Sequence, residues 1–200
     1  VQKRWLQPVS PAAPFGRPLR GFMRRIGLHE LATMIDMAPA VLPRPAHFSG
    51  PGTAATKSER RARVILLAGC AQQVLRPSIN DATIRLLARR GIDVVVAPGA
   101  GCCGALVHHL GRENDAKAQA RRNIDAWLKE MGKGPVDAVI VNASGCGTVV
   151  KDYAHLLADD PNYAQKAKQI ADLARDVSEF VAGTGIGAPM RWSSIKVAYH

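Results

Sequence analysis

Four cysteines, Cys70, Cys102, Cys103 and Cys146, carry the chemistry on offer in this 200-residue chain. Two are adjacent inside Gly101-Cys-Cys-Gly104, and Cys146 sits inside Ser144-Gly-Cys-Gly147. Thiolates are nucleophiles and soft metal ligands. No two of them keep the separation of about two to four residues that makes a zinc knuckle. Successive side chains in extended backbone diverge, so Cys102 and Cys103 fit one small tetrahedral ion poorly. A cluster with several irons offers separate metal corners. The flanking glycines Gly101, Gly104, Gly145 and Gly147 let the backbone approach such a cluster and aim N–H groups at its sulfides. Asn142 and Ser144, beside Cys146, have short polar side chains able to donate to cluster sulfur, or simply to satisfy a turn. On residues alone an iron–sulfur cluster ranks ahead of zinc or another single ion, and ahead of buried structural or redox thiols.

The elements that must position these thiols are short. Apolar runs at 64–67, 94–96 and 138–141 each precede small or glycine residues and then a helical pattern. Parallel strands separated by helices follow from that alternation, with the thiols at strand ends, where open α/β sheets place ligands. The expected fold class is α/β: a doubly wound, Rossmann-like parallel sheet with flanking helices over residues 62–183. Helices are expected at 78–90, 105–110, about 114–131, 148–157 and 164–182, with the third strand closing at Cys146. The 114–131 helix turns Ala116, Ala120, Ile124, Trp127, Leu128 and Met131 inward.

Residues 1–56 read as an extension: a proline-rich strap over 1–18, an amphipathic helix over 19–38 broken near Gly27, and a Pro/Gly-rich linker over 39–56. At the other end, 194–200 alternates apolar residues behind a basic one, much as 62–66 does, and reads as the first strand of a second copy. The chain is therefore expected to be a fragment.

Composition narrows the function. The net charge is +11, and much of it lies in the extension (Lys3, Arg4, Arg17, Arg20, Arg24, Arg25) and around Lys57, Arg60, Arg61 and Arg63. With 5% aromatic residues and no interleaved stacking side chains, nucleic acid is not the expected partner. An acidic protein or anionic lipid accounts for the charge more simply. No apolar run approaches the roughly 20 residues of a membrane span, and the first residues lack a charged segment followed by a long apolar stretch of signal-peptide type, so the expected location is cytoplasmic. Clustered cysteines there bind metal or catalyse more often than they form disulfides. His108 and His109 follow the cysteine pair, and Lys151, Tyr153 and His155 follow Cys146; packing or solvation is the plainer reading of all five. Asp81 and Asp125 make no catalytic carboxylate pair.

Several ordered blocks, Leu67-Ala-Gly-Cys70, Gly99-Ala-Gly-Cys-Cys-Gly-Ala105, Arg121-Arg-Asn-Ile-Asp-Ala-Trp127, Asn142-Ala-Ser-Gly-Cys-Gly147 and Val150-Lys-Asp-Tyr153, resemble the cysteine-rich CCG domain of glycolate oxidase iron–sulfur subunits. Heterodisulfide reductases and lactate-utilisation proteins share that domain. The resemblance implies four metal ligands, Cys70, Cys102, Cys103 and Cys146. Its broader pattern ends in Cys-x-x-Cys, whereas Ala143 stands at the first of those positions here, so four ligands suit a [4Fe-4S] cluster better than a five-thiolate one. It further implies an electron-transfer subunit of a glycolate-oxidising complex. Its partners would be flavin-containing subunits that oxidise glycolate, with a peripheral contact to the inner membrane or a quinone acceptor. No substrate-oxidising site is expected on this chain, since no Gly-x-Gly-x-x-Gly follows a strand. A thiol/disulfide redox subunit of heterodisulfide reductase type and a zinc-stabilised binding module are the alternatives.

Overall fold

A computed structural model describes residues 21–30, 32–33, 52–55 and 59–185. Five strands form one sheet in the order β1-β3-β2-β4-β5, with β1 at Gly52–Ala54, β2 at Ala62–Leu66, β3 at Ile92–Val96, β4 at Ala138–Val141 and β5 at Ala174–Asp176. All pairings are parallel except that of β1, which runs antiparallel along β3. The α/β fold expected from the sequence is present.

Alternation along the strands sorts their side chains to two faces. Ile65, Leu67, Val95, Val139 and Val141 enter one core, while Val64, Leu66, Val94, Ala138 and Ile140 enter the other. Every residue of β4 is buried, as a central parallel strand covered on both faces requires. Helices α1 (Gln72–Leu75) and α2 (Ser78–Ala88) lead from β2 to β3, and Ile84 and Leu87 of α2 enter the second core. Between β3 and β4 come α3 (Ala105–His109) and α4 (Glu113–Met131), whose Ala120, Ile124 and Trp127 enter the first core. After β4, α5 (Ser144–Lys151), α6 (Tyr153–Leu156) and α7 (Ala164–Leu173) pack on that same side. The chain leaves β2 toward one edge of the sheet and returns to build toward the other. At such a reversal open α/β sheets place their ligands, beyond the carboxyl ends of the strands.

Four expectations are corrected. The helix expected over 164–182 is cut by β5: Ala174 leaves the helix at φ −68°, ψ 127°, and Ala174–Asp176 pairs with Val139–Val141. Asp176 then caps α8 (Val177–Gly183), accepting from the Ser178 N–H while Glu179 accepts from the Asp176 N–H, a capping box. Part of the expected linker is instead the edge strand β1, with Ala54 buried. The third strand stops at Val141 and α5 starts at Ser144, so Cys146 stands in the first turn of a helix rather than at a strand end; a turn at Asp152 divides the expected 148–157 helix into α5 and α6.

Residues 21–25 are helical and the chain turns at Gly27 (φ 82°), where the break was expected. Phe22 and Ile26 are exposed rather than turned into a core. Much of the expected extension, including Leu31, Met34 and Ile35, and the 194–200 strand lie outside the described residues. Among the described residues no helix is long and apolar enough to cross a membrane.

Trp127 anchors α4 to the helices that follow β4. Its indole is fully buried and stacks with the Tyr153 ring at 6.4 Å between centroids and 21° between planes. The indole N–H is buried with no acceptor, so the ring contributes through packing. Replacing Trp127 by Ala is expected to cost about 3–5 kcal/mol of unfolding free energy. Trp127→Phe, which gives up no hydrogen bond, is expected to cost much less; urea unfolding of both variants checks the difference.

Candidate metal centre

Each cysteine is set by the backbone turn that carries it. Cys70 follows Gly69, which turns the chain out of β2 at φ +71°. Cys102 and Cys103 lie between β3 and α3, and Gly104 ends that loop at φ +97°. A Cβ at Gly104 would meet the Ala116 carbonyl oxygen at 3.3 Å and its Cα at 3.4 Å. Both the left-handed turn and the close approach to α4 thus call for glycine there. Cys146 is the third residue of α5, whose first-turn N–H groups have no partner within the helix. Gly101 and Gly145 border open space, whereas a Cβ at Gly147 would touch the Val141 side chain at 3.8 Å.

The four side chains form a row. Cys70 Sγ donates to Cys102 Sγ at 3.3 Å, and the ionisation of Cys102, Cys103 and Cys146 is linked from each thiol to the next. All four are free thiols; Cys103 is buried and the others are half-buried. Backbone N–H groups pull the thiols down toward ionisation: those of Cys70 and Ala71 at Cys70, of Gly104 at Cys102, and of Ala105 at Cys103. Such donors favour a thiolate.

The row has an electrostatic direction. Donation to Cys102, then burial, then like charge on Cys102 push the Cys70 thiol far above its ordinary range. Donation to Cys103 leads the rise at Cys102. Accepting from Cys102 lowers Cys103, but donation to Cys146 and burial outweigh it and set that thiol at about 11. Cys146 accepts from Cys103 and lies below its ordinary value despite burial. Four thiolates at this spacing repel one another, and a bound cation would reverse that balance. Among the described residues, no three His, Cys, Asp or Glu side chains converge as the shell of a single ion. The donor set is sulfur only, which suits soft or borderline metals and iron–sulfur clusters and not magnesium or calcium.

A side chain that sequence reasoning did not single out holds the Cys102-Cys103 loop. Asn123 on α4, fully buried, accepts from the Gly101 N–H at 2.8 Å and donates to the Cys102 carbonyl at 2.8 Å and to Tyr153 Oη at 3.0 Å. Tyr153 in turn donates to the Cys103 carbonyl at 2.8 Å. Its position in the apolar stripe between Ala120 and Trp127 was the readable signal, because a buried amide there must be paired.

The expected role of Asn142 as a donor to sulfur is corrected. Its Nδ2 donates to Asn80 Oδ1 at 3.0 Å and Thr83 Oγ1 at 2.9 Å, which uses both amide hydrogens. Ser144 is exposed at the start of α5, where its carbonyl accepts from the Thr148 hydroxyl at 3.1 Å. His108, His109 and His155 are exposed, and Lys151 pairs with Glu179 at 2.7 Å. Tyr163 donates to Asp125 at 2.8 Å, and Asp81 lies in the first turn of α2.

A mostly parallel sheet flanked by helices, with four free thiols beyond the carboxyl ends of its central strands, defines a cysteine-rich α/β domain. Residues 64–151 match the model of the CCG cysteine-rich domain, and this part of the chain belongs to that family. The chain is 43% identical over 138 residues to the glycolate oxidase iron-sulfur subunit of Escherichia coli K12, which is 69% of this chain and 34% of that protein. It is 35% identical over 156 residues to a Bacillus subtilis 168 protein named "Probable glycolate oxidase iron-sulfur subunit", covering 78% of this chain and 34% of that one. It is also 30% identical over 119 residues to lactate utilization protein A of the same bacterium, covering 60% and 48%. The chain thus spans about a third of the length of the first two. No solved structure gives a significant match.

Replacing Asn123 by Leu would strip the Gly101 N–H, the Cys102 carbonyl and Tyr153 Oη of a buried partner, at about 1–3 kcal/mol for each group left unsatisfied. Hydrogen exchange by mass spectrometry is expected to show faster exchange at 99–104 than in the parent chain. Unchanged exchange there would remove the role assigned to this amide.

Proposed function

We propose that this chain is an electron-transfer module of a glycolate-oxidising oxidoreductase, with Cys70, Cys102, Cys103 and Cys146 as ligands of an iron–sulfur cluster. The observation that carries the reading is the row of four thiols drawn from three separate loops. A single small ion does not need such a row, whereas a cluster with several metal corners does. The names of the relatives support the same assignment, and four thiolates match a [4Fe-4S] cluster. When bound, that group would supply one-electron transfer.

The chain's own residues would do the rest. Gly69, Gly101 and Gly104 shape the loops, the N–H groups of Ala71, Gly104 and Ala105 offset negative charge on the sulfurs, and Asn123 and Tyr153 fix the Cys102-Cys103 turn. Electrons would arrive from flavin-containing subunits that oxidise glycolate and leave toward a quinone at the membrane surface, with the module itself cytoplasmic. One contact favours a second reading. Cys70 and Cys102 at 3.3 Å are placed for thiol/disulfide exchange, the chemistry of a heterodisulfide-reductase-type subunit.

Anaerobic purification with iron and sulfide analysis and electron paramagnetic resonance separates the readings. Iron and sulfide in equal amounts are expected in the parent chain. Cys102→Ser is expected to lose the cluster while keeping most of its far-ultraviolet circular dichroism. Stoichiometric zinc without iron would contradict the proposal, as would full iron retention by the Ser variant; a resonance signal altered by added thiols would favour the second reading.

A further inference from the structure

Beyond the strand ladder, two of the three cysteine loops are joined by neutral side chains. Asn142, the first residue after β4, donates to Asn80 and Thr83 of α2 and accepts at Oδ1 from Gln72 Nε2 at 2.8 Å. Gln72 stands two residues after Cys70 and also donates to Asn80 Oδ1 at 2.6 Å. Asn80 Nδ2 donates at 2.8 Å to the carbonyl of Ala68, two residues before Cys70, and Gln73 Nε2 donates at 2.8 Å to the Gly69 carbonyl. Thr83 Oγ1 donates to the Ile79 carbonyl at 3.0 Å. Asn80 and Thr83 are only 3% and 6% exposed.

This network sits on the inner side of α2, beside Ile84 and Leu87, where apolar side chains would fill the space at less desolvation cost. What it provides instead is direction and register, since each hydrogen bond fixes a loop in one orientation. Its far ends are the flanks of Cys70 and a residue four positions before Cys146, the two thiols at opposite ends of the row. Its members carry no charge, so the link is insensitive to pH near neutrality.

We infer that Gln72, Asn80, Thr83 and Asn142 are positioning residues, a neutral clamp that locks the Cys70 loop to the Cys146 loop before any metal arrives. The clamp itself stands apart from the function proposed above, and only its effect on a bound cluster rests on that reading.

The test uses the full chain, reduced and metal-free, with an aromatic disulfide as thiol probe and mass spectrometry to follow each cysteine. Asn142→Leu is expected to speed labelling of Cys70 and Cys146 about tenfold, the effect of losing a net 1–2 kcal/mol of hydrogen bonding. Thr83→Val, which keeps shape and loses the acceptor, is expected to speed both severalfold, and Thr83→Ser to restore the parent rates. Val181→Ala, in the same core but outside the clamp, serves as a control of lowered stability and is expected to leave the labelling pattern unchanged. Parent-rate labelling of Cys70 and Cys146 in folded Asn142→Leu would overturn the inference, as would equal acceleration by Val181→Ala. Should Asn142→Leu fail to fold, the Thr83 pair decides. After loading with iron and sulfide, Asn142→Leu is expected to change the electron paramagnetic resonance line shape while Thr83→Ser does not. A parent chain that takes up no iron would end the functional proposal and leave the labelling result standing.

Discussion

The parallel pairing of β2 with β3 on one side and β4 on the other is the constraint on which the site depends. Val64 lies opposite both Val94 and Ala138, so the carboxyl ends of the three strands are held level. The loops that leave them have only a few residues in which to turn before α1, α3 and α5 begin. Sulfurs drawn from positions far apart in sequence therefore lie beyond the same end of the sheet. A one-residue slip of β2 would exchange its inward and outward side chains and carry the Cys70 loop with it. The two cores on either face of the sheet make that slip costly, because Ile65 and Val64 would trade fully buried positions.

Register brings the loops together, and polar side chains fix their shapes. Asn123 with Tyr153 holds the cysteine pair from the α4 side; Asn80, Thr83, Gln72 and Asn142 tie the other two loops from the α2 side. Both sets are amides and hydroxyls. Buried neutral groups of this kind add direction without adding charge beside four thiols that already repel one another as they ionise. The division suits a centre whose negative charge must be offset by backbone N–H groups and by metal.

The parts legible in the sequence were those with a local signal. Three apolar runs followed by glycines give the central strands, and a 3.6-residue apolar period gives α4. The short strands were not legible. Ala174–Asp176 reads as helix because Ile170, Leu173, Ala174, Val177 and Val181 keep a helical period through it, and only its ladder to Val139–Val141 makes it a strand. Gly52–Ala54 is a strand because the edge of β3 is there to pair with. Asn142 was readable as a polar residue near a thiol but not as part of a clamp, since its partners Gln72, Asn80 and Thr83 stand 59 to 70 positions away. The Asp176 capping box, Asp-x-x-Glu, was in plain view and marks the start of α8.

The central claim is that these four sulfurs together grip one centre containing several metal atoms. Iron K-edge X-ray absorption on the anaerobically loaded chain addresses it directly. The expected spectrum has a nearest shell of sulfur alone and, beyond it, iron at short distance. A nearest shell containing nitrogen or oxygen, or an iron without iron neighbours, would contradict the claim.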